Sequence, residues 1–302
     1  MLNMLNGGYR YEERLDRSAS GVTVLDYLVG RYSHSSEDAW EQRIEAGRVF
    51  VNGAPVVAST KLSAGAVLAW DRPPWVEPEA PSSFAVLYRD GDVLAVAKPR
   101  GLAAMPGGGF LERTLLRRVA RLDPAAAPLH RLGRATSGIT LFSRHTDARR
   151  RLTNAWRTGA VERSYVGLVR GKPPWREVRV DEPIGPVPHA RLGSVAALSP
   201  DGKPAESHVR LVEHRESTSL VEVTIETGRT HQIRIHLAAL GYPLEGDALY
   251  PVGGVPDAST SSLPGDLGYF LHAHSIRFPH PAQDRSVSVS CLPPPILRRE
   301  NL

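Results

Sequence analysis

The 302-residue sequence predicts an α+β fold: a mixed, largely antiparallel sheet preceded by a small α+β unit. Two observations support the sheet. Short, apolar, β-branched runs recur throughout the C-terminal two thirds, and only three stretches there have helical spacing. A third observation sets the division. Asp71 to Ser82 holds prolines at 73, 74, 78 and 81, a composition that favours extended, semi-rigid chain. The expected organisation is therefore a small domain over residues 20–70, a linker over 71–83, and a larger domain over 84–302.

In the small domain, Val24, Leu25, Leu28 and Val29 repeat at i, i+1, i+4 and i+5 and predict an amphipathic helix over Val22–Tyr32. Ser35, three residues ahead of Asp38, offers a capping-box start for a second helix that ends near Gly47. Arg48 to Val51 alternates and runs into Asn52-Gly53, the signature of a hairpin turn. Val56-Val57 and Val67 to Trp70 are expected as two further short strands.

In the larger domain, strands are expected at Phe84–Tyr88, Val93–Ala97, Ile139–Phe142, Tyr165–Val169, His208–Val212 and Leu220–Ile225. Helices are expected at Leu111–Arg121, Thr146–Thr158 and Thr230–Leu240. Gly253 to Gly268, rich in Gly, Pro and Ser, is expected as a mobile surface loop.

Composition sets limits on function. Basic residues outnumber acidic ones by 37 to 32, a net charge of +5, which permits a polyanionic partner without requiring one. The single cysteine, Cys291, can form no internal disulfide and no cysteine-based zinc cluster, and it suits a reducing compartment. Met1 to Gly8 lacks a basic leader followed by an apolar run, and no apolar stretch approaches the ~20 residues that span a bilayer. The expectation is a cytoplasmic monomer with no membrane partner.

Four segments of the larger domain carry the chemistry. The first is Val93 to Leu102, containing Lys98-Pro99-Arg100-Gly101. The second is His130-Arg131-Leu132-Gly133-Arg134-Ala135-Thr136-Ser137-Gly138. The third is Arg163 to Gly171, with Tyr165 at its centre, and the fourth is Thr227-Gly228-Arg229-Thr230-His231-Gln232-Ile233-Arg234, continuing through Gly241 to Asp247. Leu271-His272-Ala273-His274 and Phe278-Pro279-His280-Pro281 close the set. In this order the segments resemble the signature motifs of the RluA-type pseudouridine synthases. Upstream, Glu45-Ala46-Gly47-Arg48-Val49-Phe50-Val51-Asn52-Gly53 resembles the hairpin of the S4 RNA-binding domain, although that helix carries few basic residues.

The resemblance implies an enzyme that isomerises uridine to pseudouridine in structured RNA, ribosomal or transfer, with no cofactor and no metal. It also implies roles. Arg131 fills the stack vacated by a flipped base. Tyr165 stacks on the target base and is a candidate for removing the proton from C5. Arg234 is the position that pairs with the family's catalytic aspartate. His130, Arg134, Arg229, His231 and, in the small domain, Arg48 are candidate RNA contacts. One position departs from the pattern: where the family has its catalytic aspartate, this chain has Gly133.

Glycine supplies neither nucleophile nor charge, and it removes the expected partner of Arg234. Three replacements are open: a carboxylate from elsewhere in the chain such as Asp147, bound water and anion, or RNA phosphate. Asp123 and Asp147, the two carboxylates near the central motif, are read as structural. The pairs His231/His236 and His272/His274 lack a third ligand cluster, which argues against zinc. Thr136-Ser137-Gly138 lacks the flanking glycine of a hydrolase elbow. The alternative to an enzyme is an inactive RNA-binding protein that uses the same cleft in RNA folding or ribosome assembly. An unrelated basic α+β protein is a third reading, against which the motif order speaks.

Overall fold

The computed structural model describes residues 5–32 and 35–300; Met1 to Met4, part of the segment read above for a leader, lie outside the described residues. The chain divides into two compact units, Met1–Glu77 with Ala190–Gly193, and Pro78–His189 with Ser194–Leu302. Among the described residues no helix is long and apolar enough to cross a membrane.

The first unit contains strand β1 (Tyr9–Arg14), helices α1 (Val24–Arg31) and α2 (Glu37–Glu45), and strands β2 (Val49–Val51), β3 (Ala54–Pro55) and β4 (Val67–Arg72). The strands form one sheet in the order β1-β4-β2-β3. The unit thus begins ahead of residue 20, because β1 pairs antiparallel with the whole of β4. Trp40, Leu28, Val24 and Val49 are buried in its core, each large apolar side chain contributing about 1.5–3 kcal/mol of transfer energy. Thr23 caps α1. The cap of α2 is Ser36 rather than Ser35: Ser36 Oγ accepts from Ala39 N, while Ser35 Oγ accepts from Arg43. Asn52 and Gly53 both take positive φ, 50° and 83°, as the two-residue hairpin between β2 and β3 requires. Val56-Val57 lies beyond that hairpin and is not a strand.

The second unit is a ten-stranded mixed sheet flanked by three helices and a separate hairpin. Its strands include β5 (Ala85–Arg89), β6 (Val93–Lys98), β7 (Ala127–Pro128), β8 (Ser137–Ser143), β9 (Glu162–Arg170) and β10 (Glu177–Val180). A separate hairpin joins β11 (Ile184–His189) to β12 (Gly193–Leu198), and the sheet continues with β13 (Ser207–His214), β14 (Thr218–Ile225), β15 (Leu271–Pro279) and β16 (Ser286–Ser290). The path runs β10-β13-β14-β9-β15-β8-β6-β5, antiparallel throughout except where β15 meets β8. Helices α3 (Leu115–Leu122), α4 (Thr146–Arg157) and α5 (Gln232–Ala239) pack on it.

The parallel β8–β15 pair is short, and it explains the glycine that ends the central motif. Gly138 has φ +108°, and a Cβ there would lie 2.2 Å from the Ala273 carbonyl oxygen. Only a residue without a side chain lets the two strands approach so closely. Leu132 and Ala135 drop from the loop ahead of β8 into one core with Tyr165, Ile233, Leu237, Tyr269 and Ala273. The central motif is therefore clamped to β9, α5 and β15 by apolar burial.

Candidate active site

The loop Arg131–Thr136 turns back on itself, with Thr136 N donating to the Gly133 carbonyl (3.1 Å). Three groups of the first motif hold its backbone. Buried Lys98 donates to the carbonyls of Arg134 (3.3 Å), Leu102 (2.8 Å) and Pro99 (3.1 Å). Gly101 N donates to the Arg134 carbonyl (2.8 Å), and Arg100 donates to Ala135 O (3.1 Å) and to the Tyr269 carbonyl. Burial first, then the charges of Arg100 and Arg134, pull the Lys98 amine down to about 7. The Lys-Pro-x-Gly segment is thus a brace for the loop that carries position 133.

Position 133 is filled from below. A Cβ on Gly133 would lie 2.8 Å from Tyr269 Oη and 3.5 Å from Thr136 Oγ1. Thr136 and Tyr269 hydroxyls are themselves in hydrogen-bond contact at 3.2 Å. The φ of Gly133 is not positive, so it is contact with Tyr269, and not backbone strain, that a side chain there would have to relieve by shifting the tyrosine. Tyr269 lies outside the four motifs; its only mark in the sequence is the aromatic pair Tyr269-Phe270 ahead of Leu271.

Arg234 does have a buried partner. Its Nε and Nη2 donate to the two oxygens of Asp247 at 2.7 and 2.8 Å, with both side chains no more than 3% exposed. Leu249 N and Tyr250 N also donate to Asp247, and Arg234 Nη1 donates to Pro264 O (3.1 Å). Burial opposes the guanidinium charge, but the bidentate bond to Asp247 outweighs it and holds the pKa above its ordinary value. Arg234 is thus paired within the chain, by Asp247 of the fourth motif, and Gly133 does not leave its charge stranded. Asp147 is not that partner: its side chain is 78% exposed, in the first turn of α4, 3.9 Å from Arg150. Asp123 pairs with Arg144 (2.5 Å) at the end of α3, a structural duty.

The Arg234 guanidinium lies over the Tyr269 ring at 4.2 Å and over the Tyr250 ring at 4.8 Å. A continuous chain of contacts therefore runs from Asp247 through Arg234 and Tyr269 to Gly133 and Thr136. Gly253–Gly268 forms no helix or strand, as expected, but it supplies carbonyl oxygens to this site: Pro264 to Arg234 and Gly265 to Arg134 (2.8 Å).

The other candidates separate into two groups. Arg131 is exposed, has no hydrogen-bond or ion-pair partner among the described residues, and lies near enough to His231 to help depress it. Tyr165 is buried beside the loop, and burial pushes its phenol up. Its hydroxyl has no hydrogen-bond partner among the described residues. Apart from Arg48, the remaining candidates are engaged in holding the fold. His130 Nε2 accepts from Leu141 N (3.0 Å), its ring lies 4.9 Å from Trp156, and burial with the nearby Arg163 pulls it down to about 3. His231 caps α5 with φ 57° and bonds Tyr250 Oη (2.7 Å); burial, then Arg234, pull it to about 3. Arg229 donates to Pro204 O (2.9 Å), and Arg134 lies 5.4 Å from the Phe110 ring. Arg48 belongs to the first unit.

Gln232, unmarked at first reading, uses all of its amide. Oε1 accepts from Thr227 and Arg229, and Nε2 donates to Glu206 O and Ser207 Oγ. It fastens the turn of the fourth motif to β13.

The histidine pairs are similarly engaged. His236 bonds Ser207 and Glu182 O, while His272 bonds Ser137 and Cys291 O. Asp90, Asp92 and His280 bring ligand atoms within 4.8 Å of one another. Burial opposes the Asp90 charge, yet bonds from Tyr88, Asp92 N, His280 and Val93 N hold its carboxyl down at about 2, so it serves the β5–β6 turn. A cavity of about 570 Å³ opens beside Phe84, Lys98, Phe270 and His272, but Gly133, Tyr165, Arg234 and Tyr269 do not line it.

Residues 92–239 match the family model described as RNA pseudouridylate synthase. The chain is 40% identical to an uncharacterised RNA pseudouridine synthase of Synechocystis, over 92% of this chain and 96% of that one. It is 36% identical to RNA pseudouridine synthase 5 of Arabidopsis thaliana (97% and 95% covered). It is 33% identical to ribosomal large subunit pseudouridine synthase D of Yersinia pestis (89% and 84%). The structure of human RNA pseudouridylate synthase domain containing 1 shares the fold, with a TM-score of 0.58 at 24% identity over 74% of this chain and 89% of that one.

Proposed function

The chain belongs to the RluA-type RNA pseudouridine synthase family, and from that premise we propose that it isomerises uridine to pseudouridine in structured RNA. The reaction is balanced within the substrate. The bond from ribose C1′ to N1 breaks, the base turns, C1′ bonds to C5, the proton on C5 leaves, and N1 takes up a proton. No electron donor or acceptor enters.

The observation that supports this reading is the arrangement around Gly133. The loop is braced, Arg234 is held by Asp247, and a hydroxyl, that of Tyr269, stands where a side chain at 133 would extend. Leaving a buried arginine without its carboxylate would cost several kcal/mol, and this chain avoids that cost. In the proposed arrangement, Tyr269 and Thr136 supply the polar atoms under the ribose. Arg131, with no hydrogen-bond or ion-pair partner among the described residues, enters the stack as the base leaves it, and Tyr165 faces the base and takes the C5 proton. The relative named for the ribosomal large subunit makes ribosomal RNA the first substrate to try. The first unit is read as the RNA-binding S4-like module, with Arg48 at its hairpin.

The test is release of tritium from RNA labelled at uridine C5, alongside pseudouridine maps of ribosomal and transfer RNA with and without the gene. Release that disappears in Arg131→Ala, and a uridine that loses its modification on deletion, are expected. RNA binding with no release from any RNA would make the site a binding cleft only.

A further inference from the structure

The first unit concentrates aromatic residues: Tyr9, Tyr11, Tyr27, Tyr32, Trp40, Trp70 and Trp75 are half of the chain's 9 tyrosines and 5 tryptophans, within its first quarter. The core accounts for Trp40, but not for Tyr9 and Tyr11, which are 43% and 41% exposed. They alternate on β1 and so share one face of the sheet. Register sets Tyr9 opposite Arg72 and Tyr11 opposite Trp70.

On that face the rings and guanidinium groups form a row. The Tyr9 and Tyr11 centroids are 4.7 Å apart, Tyr11 stacks on Trp70 at 5.2 Å and 13°, and Trp70 meets Trp40 edge-on at 5.1 Å. Arg43 lies over Trp40 and Trp70 at 4.4 and 4.6 Å, and Arg72 lies over Trp75 at 3.6 Å. Neither arginine has a carboxylate within ion-pair distance among the described residues, and their mutual repulsion, after burial, pulls Arg43 down. The acidic groups nearby are already engaged. Arg10 gathers Glu12 and Asp71 on the opposite face, and Glu13, on the same face of β1, is engaged by Tyr27 and Tyr32 at the inner end.

Two exposed aromatic rings beside two unneutralised guanidinium groups match what an unpaired RNA strand presents, flat bases and phosphate charge. We propose that Tyr9 and Tyr11 form a base-stacking platform for a single-stranded segment of RNA, with Arg43 and Arg72 neutralising its phosphates. RNA as the ligand rests on the proposed function, but this surface belongs to the first unit, the isomerisation site to the second, and it is tested without turnover.

The probe is a fluorescent ten-nucleotide oligoadenylate, which lacks uridine and so cannot be turned over. Its anisotropy is followed with the full chain. Tyr9→Ala with Tyr11→Ala is expected to weaken binding by roughly 10- to 100-fold, the range that loss of base stacking produces. Tyr9→Phe with Tyr11→Phe, which keeps both rings, is expected to stay within about twofold of the parent chain. Arg72→Ala should lower the slope of log affinity against log salt by about one phosphate contact. Photocrosslinking of an oligonucleotide carrying 4-thiouridine to the unaltered chain is expected to label Tyr9 or Tyr11, and it needs no variant to fold. Unchanged binding by the alanine pair, equal loss by the phenylalanine pair, or labels confined to other residues would overturn the platform. Absence of tritium release with the platform intact would instead count against the proposed reaction alone.

Discussion

The hydroxyl of Tyr269 stands 2.8 Å from the point a Cβ on Gly133 would occupy, so the smallest residue of the central loop and the tyrosine beneath it share one volume. Tyr269 is in turn covered by the Arg234 guanidinium and bonded to Thr136. The position that reads as a vacancy in the sequence is therefore crowded by Tyr269 in the fold.

It follows that restoring an aspartate at 133 brings no gain by itself. Gly133→Asp is expected to lose about 1–3 kcal/mol to overpacking and to raise no activity. Tyr269→Ala, which empties a buried site, is expected to lose about 3–5 kcal/mol. The double variant should lose less than the sum by 1 kcal/mol or more, because each change relieves the other. Urea melts of the four proteins measure this coupling, and strict additivity would mean that the two residues do not compete for space.

Asp247 keeps a charge buried on behalf of the site. Asp247→Asn leaves Arg234 in place without its counter-ion, and the expected loss is about 3–5 kcal/mol. Replacing both partners by apolar residues, Arg234→Met with Asp247→Leu, should cost less than that single change, since no charge is then stranded. Chemical denaturation separates the two outcomes. A larger loss in the double variant would show that the pair's hydrogen bonds to Leu249 N and Tyr250 N matter more than its charge.

Much of this architecture was legible in the chain, and the reasons differ between elements. Helix α4 matches its expected span almost to the residue, because its periodicity is bounded by strong local signals. Strands β6, β9 and β14 were evident because each contains a short run rich in buried apolar residues. Strand β1 was not, since Tyr-Arg-Tyr-Glu-Glu-Arg is polar, exposed and held only by its pairing with β4. Helix α3 starts at Leu115 rather than Leu111, because Thr114 Oγ1 caps it by accepting from Arg117 N. In the site, the residues of the contiguous motifs could be found by pattern. Tyr269 and the pairing of Asp247 with Arg234 could not, because both arise only when β15 and the turn after α5 fold against the loop.

His130 bears a sign that acid titration reads directly. Its pKa falls from the ordinary 6.5 to about 3 on folding, so between those values the unfolded chain binds a proton that the folded chain refuses. Stability from this group is complete above pH 6.5 and is lost as pH falls towards 3. The imidazole resonance of His130 is expected to stay unshifted from pH 8 to pH 5, and the melting temperature to decline on going below 6.5. A midpoint near 6.5 would mean that Nε2 is not held as an acceptor by Leu141 N.

Tyr165 carries the most demanding prediction, because burial both qualifies and hinders it. Its hydroxyl has no protein partner among the described residues, so Tyr165→Phe removes no hydrogen bond, and stability should change by less than the roughly 1 kcal/mol of a typical hydrogen bond. Burial raises the phenol's pKa, with Arg163 opposing, so at neutral pH the group is a neutral phenol and its basic form is scarce. If phenolate takes the C5 proton, tritium release climbs with pH from 7 to 9, about tenfold per unit, since each unit raises the phenolate fraction by that factor. The Phe variant should then fall by roughly 100- to 10,000-fold, the range for loss of a general base. A flat pH profile with the same loss would assign Tyr165 to stacking on the base and move the proton to another acceptor. An active Phe variant would remove it from the chemistry altogether.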